Sequence, residues 1–288
     1  MRNDVIDVVP MDAPIGAEIR NVDLSKSVGS EQFAAIERAF DEYSVVVIRD
    51  QALSEDHFEN FVCRFGEMQV NFLKKYTIKN RPLILQVSNI QVDGKDIGHA
   101  DAGRVWHSDM SYEWNPPRIS VLHAREVPVT EDGRVLGDTL FASAVLAYDS
   151  LSPEMKARCD GLRVKHDVTG RRRNTGTGTQ DNAEREAMEK VVHPAIRTHP
   201  YTGKKAIYVS HGESFAIEGM PDDEAQALIA ELADTVIRPE FQYRHTWRVG
   251  DVLMWDNCAL QHLAMHDYAL PLRRMMWRIS GCPTTVYE

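Results

Sequence analysis

The sequence predicts a mainly β fold with flanking helices, an antiparallel sandwich or jelly roll. Three observations carry that prediction. Strand-like segments at 119–124, 206–210, 241–247, 251–255 and 275–280 are short, scattered and separated by turn residues. They lack the regular strand–helix alternation of a parallel sheet. The helical stretches are few and amphipathic, which suits packing on the outside. In chain order, Ser30 can cap a helix carrying Phe33, Ile36 and Phe40 at helical spacing. The run Ser44-Val45-Val46-Val47-Ile48 reads as a buried strand, because β-branched residues suit a pleated surface. Ser54 opens a second helix with Phe58, Phe61, Val62 and Phe65 on one stripe and Gly66 as its stop. Pro153 fits the first turn of a short helix, and 222–236, rich in Ala, Leu and Glu, reads as a third convincing one. Residues 171–180 place three arginines beside Gly and Thr and bury no apolar face; they read as a surface loop, either solvated or a lid over a ligand.

The chain has 288 residues, 43% hydrophobic and 26% charged, enough for one sizeable core. We read it as a single domain, 1–288, with an active-site loop around 168–190. A net charge of −10 argues against binding a phosphate backbone, and no apolar run approaches a membrane span. The N-terminus lacks the basic-then-apolar pattern of a secretory signal. Cys63, Cys159, Cys258 and Cys282 lie far apart with no Cys-x-x-Cys pair, so neither a disulfide framework nor a thiolate zinc site is expected. The expected compartment is the cytoplasm, and the expected class an enzyme.

Among eleven histidines, His107 has a carboxylate two residues on, in Trp106-His107-Ser108-Asp109. In an extended segment residues i and i+2 point the same way, so His107 and Asp109 can reach one ion. A distant third histidine would complete a two-His, one-carboxylate face with open positions, the pattern of iron(II) oxygenases. Far downstream come Trp255-Asp256-Asn257, Gln261-His262 and Arg273-Arg274. Arg274 offers a planar fork for a carboxylate, which a 2-oxo dicarboxylic acid chelating the metal would need at its far end.

These motifs, together with Pro116-Pro117, Gly137-Asp138-Thr139-Leu140-Phe141 and the 193–200 stretch, occur in an order that resembles one family over nearly the whole chain. It is the taurine dioxygenase and chlorinated-phenoxyacetate dioxygenase (TauD/TfdA) family of Fe(II)/2-oxoglutarate-dependent dioxygenases. The resemblance implies a double-stranded β-helix (cupin-like jelly roll) with Fe(II) bound by His107, Asp109 and His262. It implies 2-oxoglutarate and O2 as cosubstrates, with Arg274 and the Thr139 hydroxyl on the distal carboxylate. Succinate and carbon dioxide would be released as a C–H bond is hydroxylated, with C–O, C–S or C–N cleavage to follow where the new alcohol is unstable. Relatives commonly pair or form tetramers, so a homo-oligomer is expected. Phe72-Leu73-Lys74, Ser88-Asn89 and 240–245 bring the chain closer to the phenoxyacetate branch, and Asn71 stands where the taurine enzyme has a sulfonate-binding histidine. Arg278 matches a position near the substrate anion, with Lys74 and Lys95 as further candidates and Asn71 in the same pocket. The expected partner is thus a small anionic molecule, a carboxylate more than a sulfonate. Residues 130–134 are extra relative to the family and should lengthen a turn.

Competing readings remain. His266 rivals His262 as the ligand; His193, His199 and His57 read as structural or solvent-facing; Trp255 reads as core. At the level of function the rivals are desaturation on the same scaffold, a non-catalytic jelly-roll binding protein, and a zinc hydrolase using the same ligands.

Overall fold

The computed structural model describes residues 6–70, 73–100, 102–167 and 190–287. The chain opens with a hairpin of β1 (Asp7–Pro10) and β2 (Ala17–Arg20). Next come α1 (Ser30–Tyr43), β3 (Val45–Ile48) and α2 (Glu55–Val62). Ser30 is the first residue of α1 rather than its cap: Gly29 takes that place, its N–H donating to the Gln32 side chain at 3.3 Å. Ser44 ends the helix at φ 62°, so the strand begins one residue later than the apolar run suggests. At α2 the expected cap is present, with Ser54 Oγ accepting the His57 N–H at 3.2 Å.

Short β4 (Thr77–Ile78) and long β5 (Arg81–Ser88) follow, then a small hairpin of β6 (Gln91–Val92) and β7 (Lys95–Asp96). β8 (Pro117–Glu126) leads through a closed turn at 130–134, where Thr130 N–H meets Arg134 O at 2.9 Å, into β9 (Thr139–Ser143). Helices α3 (Ala144–Ser150) and α4 (Pro153–Cys159) precede β10 (Arg163–His166). Beyond Lys190 lie β11 (Val191–Pro194), β12 (Ile196–Thr198), β13 (Lys205–Ile207) and β14 (Ser214–Ile217). Then come α5 (Asp222–Val236), β15 (Gln242–His245), β16 (Val252–Asp256), β17 (Leu260–Ala264) and β18 (Met275–Pro283). Save for Lys190, the 168–190 loop lies outside the described residues.

Eight strands form the main sheet in the order β1-β2-β3-β16-β8-β18-β5-β4, in which only β2 and β3 run parallel. Opposite it stands a three-stranded sheet, β15-β9-β17. Period-2 alternation divides the main sheet's side chains between two cores. Val46, Ile48, Val121, Val252, Met254 and Ile279 face α1 and α2, packing with Phe33, Ile36, Phe58 and Phe61. Their neighbours Val45, Val47, Leu122, Leu253, Trp255 and Met276 face inward to Phe141, Tyr243 and Leu260 of the small sheet. Burial on both faces explains why these strands read as continuous apolar runs. Truncating Phe58, fully buried, would cost about 3–5 kcal/mol. Among the described residues no helix is long and apolar enough to cross a membrane, and all four cysteines are free.

Candidate active site

The inward core leaves an opening between the sheets, and three side chains converge there. His107 lies in the segment before β8; His262 is the middle residue of β17, paired with Phe141 of β9. Their main chains bond to each other in both directions, His107 N–H to His262 O at 3.2 Å and His262 N–H to His107 O at 2.9 Å. This bridge sets the two rings 4.2 Å apart. The Nδ1 of His107 bonds Val105 O at 2.7 Å, which makes it the donor and leaves Nε2 as a bare lone pair. That Nε2 lies 3.5 Å from Asp109 Oδ1, and the Nε2 of His262 lies 3.8 Å from the same oxygen. The three ligand atoms fall within 4.8 Å of one another, all buried. Burial opposes the Asp109 charge, but the Arg278 guanidinium leads the groups that hold the carboxyl well below its usual range. The donor set therefore fits a divalent ion of borderline hardness such as Fe(II).

Arg274 and Thr139 line the same cleft, with Val87, Leu122, Trp255 and Arg278. Arg274 is 4% exposed, with no carboxylate partner among the described residues and no hydrogen bond at Nε. Burial pushes its pKa down and the Tyr268 hydroxyl opposes that. A buried guanidinium in this condition calls for an anion. Its backbone is pinned by the Ser88-Asn89 pair: Ser88 Oγ donates to Arg274 O at 2.7 Å, and Arg274 N–H donates to Asn89 Oδ1 at 2.9 Å. Gly137, at φ +74°, makes room for it, since a Cβ there would sit 3.2 Å from Arg274 Nε. The Thr139 hydroxyl accepts the Trp247 indole N–H at 3.0 Å, which leaves its own proton to donate.

The remaining sequence candidates are placed differently. Arg278 lines the cleft but already donates to Asp109 Oδ2 at 2.7 Å. Lys74 and Lys95 are exposed and are not among the cleft's lining residues. Asn71 lies outside the described residues. His266 bonds Ala102 O at 3.1 Å, and His193 bonds Glu113 O at 2.9 Å with burial pushing its pKa down to about 4. Sequence reasoning missed the contacts of Ser120, Ser280 and Asn257 around Asp109, because their partners are distant in the chain and leave no local pattern.

A second group, His199, Asp256 and Cys258, has metal-like spacing. Its lone pairs are taken. Asp256 Oδ2 accepts from His199 Nε2 at 3.0 Å and Arg118 Nε at 2.9 Å, and Oδ1 accepts the Cys258 N–H at 2.8 Å. His199 Nδ1 accepts the N–H groups of Tyr201 and Thr202, and burial pushes the Cys258 thiol up to about 12.

Fold and donor set together define a jelly-roll protein with a candidate mononuclear metal centre, and comparison with known proteins makes the class specific. The family model described as "Taurine catabolism dioxygenase TauD, TfdA family" matches residues 7–280. The chain is 34% identical over 283 residues, 93% of its own length and 95% of the relative's, to an alpha-ketoglutarate-dependent 2,4-dichlorophenoxyacetate dioxygenase of Cupriavidus pinatubonensis (strain JMP 134 / LMG 1197). Among solved structures it resembles AAD-2 in complex with Mn(II) and N-oxalylglycine (TM-score 0.81, 27% identity, 99% of this chain and 100% of that one). It also resembles a taurine dioxygenase from Burkholderia xenovorans (TM-score 0.79, 30% identity, 98% and 96%). The chain belongs to the TauD/TfdA family. It is an Fe(II)- and 2-oxoglutarate-dependent dioxygenase with the family's jelly-roll fold.

Proposed function

We propose that His107, Asp109 and His262 hold the iron, that Arg274 and Thr139 hold the distal carboxylate of 2-oxoglutarate, and that the substrate hydroxylated is a small carboxylate. The observation that carries the reading is the convergence of three buried ligand atoms beside a buried, carboxylate-free Arg274. Bound there, Fe(II) with 2-oxoglutarate and O2 supplies the power to oxidise an unactivated C–H bond, with succinate and carbon dioxide as by-products. The chain's own residues bind, orient and exclude water. Trp247 directs the Thr139 proton towards the anion held by Arg274. Leu122, Val87 and Trp255 give the cleft apolar walls that fit an uncharged body and keep bulk water out. Arg278 lines the same cleft, and we assign it the substrate carboxylate; Lys74 and Lys95, being exposed, suit only a carboxylate near the surface. The kinship to a phenoxyacetate dioxygenase supports an ether-bearing substrate. A hydroxyl placed on the ether carbon makes a hemiacetal, which collapses to a carbonyl and a free phenol or alcohol. The free cysteines are in keeping with the reducing cytoplasm as its compartment.

The test is aerobic turnover with Fe(II), ascorbate and 2-oxoglutarate against a panel of aryloxyacetates, other carboxylates and sulfonates. Aryloxyacetates are expected to accelerate succinate formation and release one phenol per succinate, while His107→Ala forms none. Acceleration by sulfonates alone would overturn the substrate class, and wild-type succinate formation in His107→Ala would overturn the ligand set.

A further inference from the structure

The two oxygens of Asp109 have different surroundings. Oδ1 faces the imidazoles of His107 and His262. Oδ2 is turned away from them and accepts two donors, the Ser120 hydroxyl at 2.6 Å and Arg278 at 2.7 Å. The direction of the Ser120 hydroxyl is set in turn by Asn257. The Asn257 Oδ1 accepts two N–H groups, the backbone of Asp109 at 3.2 Å and the Trp255 indole at 3.0 Å, which settles which way its amide points. Its Nδ2 then donates to Ser120 Oγ at 3.2 Å. Of its other neighbours, Ser280 Oγ at 2.8 Å itself accepts from Arg278 Nε and so has its own proton to give to Ser120, and Arg278 Nη2 donates to Ser120 from 3.4 Å. With both lone pairs of Ser120 occupied, its single proton goes to Asp109 Oδ2. Asn257 is held rigidly while it does this: its N–H donates to Arg118 O at 2.7 Å and its carbonyl accepts the Ser108 hydroxyl at 2.8 Å.

We propose that Asn257, acting through Ser120, is a positioning residue that keeps Asp109 a one-oxygen ligand. The proposal rests on the iron site described under Proposed function. A carboxylate whose outer oxygen is released turns so that both oxygens reach the ion. Two imidazoles and two carboxylate oxygens would leave a six-coordinate ion only two positions, enough for a chelating 2-oxo acid and none for O2. The hydrogen bonds on Oδ2 hold the third position open.

Two variants test this. Ser120→Ala removes the donor without changing charge. Asn257→Asp keeps acceptors for the Trp255 and Asp109 N–H groups but loses the donor to Ser120, whose proton is then drawn away from Asp109. In both, kcat should fall about tenfold or more, the size typical of lost outer-shell partners, while KM for 2-oxoglutarate changes little. The anaerobic visible absorption of the Fe(II)–2-oxoglutarate chelate should shift relative to wild type, a change that loss of packing alone would not produce. The double variant should be no worse than the poorer single one, because both act through one hydroxyl. Unshifted absorption with wild-type kcat in the folded variants would overturn the positioning role. Should Ser120→Ala fail to fold, Asn257→Asp decides alone. Absence of any chelate absorption in the wild type would instead overturn the iron site itself.

Discussion

Two buried clusters in this molecule are built from nearly the same parts. Around Asp109 stand His107, His262 and Arg278; around Asp256 stand His199, Arg118 and Cys258. Each has a carboxylate flanked by imidazole and guanidinium, and each brings three potential ligand atoms together. They differ in where the lone pairs go. In the Asp256 cluster both carboxylate oxygens and His199 Nδ1 accept hydrogen bonds, so the group is a closed knot that ties β16 to the 199–202 turn and to α1 through Asp41. In the Asp109 cluster Ser120 and Arg278 donate to Oδ2, while Oδ1 and His107 Nε2 face one another 3.5 Å apart. Ligand-capable residue types at ligand-like distances are shared by both clusters; the difference in how the carboxylate lone pairs are committed supports the proposed assignment of iron to the Asp109 cluster.

The sharpest way to break this contrast is to remove one imidazole from each cluster. His262→Ala should weaken anaerobic Fe(II) binding by more than about a hundredfold, beyond the loss typical of outer-shell changes, whereas His199→Ala should still bind one iron per chain. Iron lost equally from both would end the distinction. Next in size is Arg274→Ala, which should raise the apparent KM for 2-oxoglutarate about 10–100-fold with iron retained, the equivalent of one charge-assisted pair. Steady-state titration of the cosubstrate reads this directly, and an unchanged KM would remove Arg274 from the site. The smallest effect concerns acid. Burial opposes the Asp256 charge, but His199 and Arg118 prevail and bring its pKa down to about 2. A carboxyl lowered on folding stabilises above its unfolded pKa and loses that contribution as pH falls through the folded value. Between about pH 4 and pH 2 the knot should therefore forfeit roughly 2 kcal/mol. Urea unfolding of wild type and Asp256→Asn across that window should show a shallower acid limb in the variant; parallel limbs would refute the assignment.

What the sequence disclosed follows from how local the cause was. The antiparallel β architecture was legible because β3, β8, β16 and β18 carry apolar runs bounded by turn residues, α2 carries its own cap, and α2 and α5 carry apolar stripes. The hairpin β1–β2 was not legible: four-residue strands, one ending in Pro10, hold their place by pairing rather than by pattern. Expected strands at 206–210 and 241–247 proved shorter, Lys205–Ile207 and Gln242–His245, because apolar residues continue past the last ladder bond. At the site, the His107–Asp109 spacing is shared with other histidines and gained weight only beside the family motifs, which also supplied His262 and Arg274. Nothing local reveals that Arg278 leans on Asp109, or that Ser120 and Asn257 meet beside it, since those contacts join β18, β8 and the corner after β16. Lys74 and Lys95 were nominated as basic residues in stretches that resemble the phenoxyacetate branch, and neither feature fixes the direction of a side chain on a 3₁₀ turn or a surface hairpin.

The reciprocal amide bonds between His107 and His262 have a consequence for how such a protein can diversify. The register of the two histidines is set by main chain, so walls such as Val87 and Leu122 can be rewritten without shifting it, whereas Trp255, whose ring packs 4.7 Å from that of His262, is tied to the pair. A change in length between Val105 and Asp109, or within Leu260–Ala264, would instead slip one histidine past the other. New substrates are open to point substitution here, while the geometry of the proposed metal ligands is guarded against insertion and deletion.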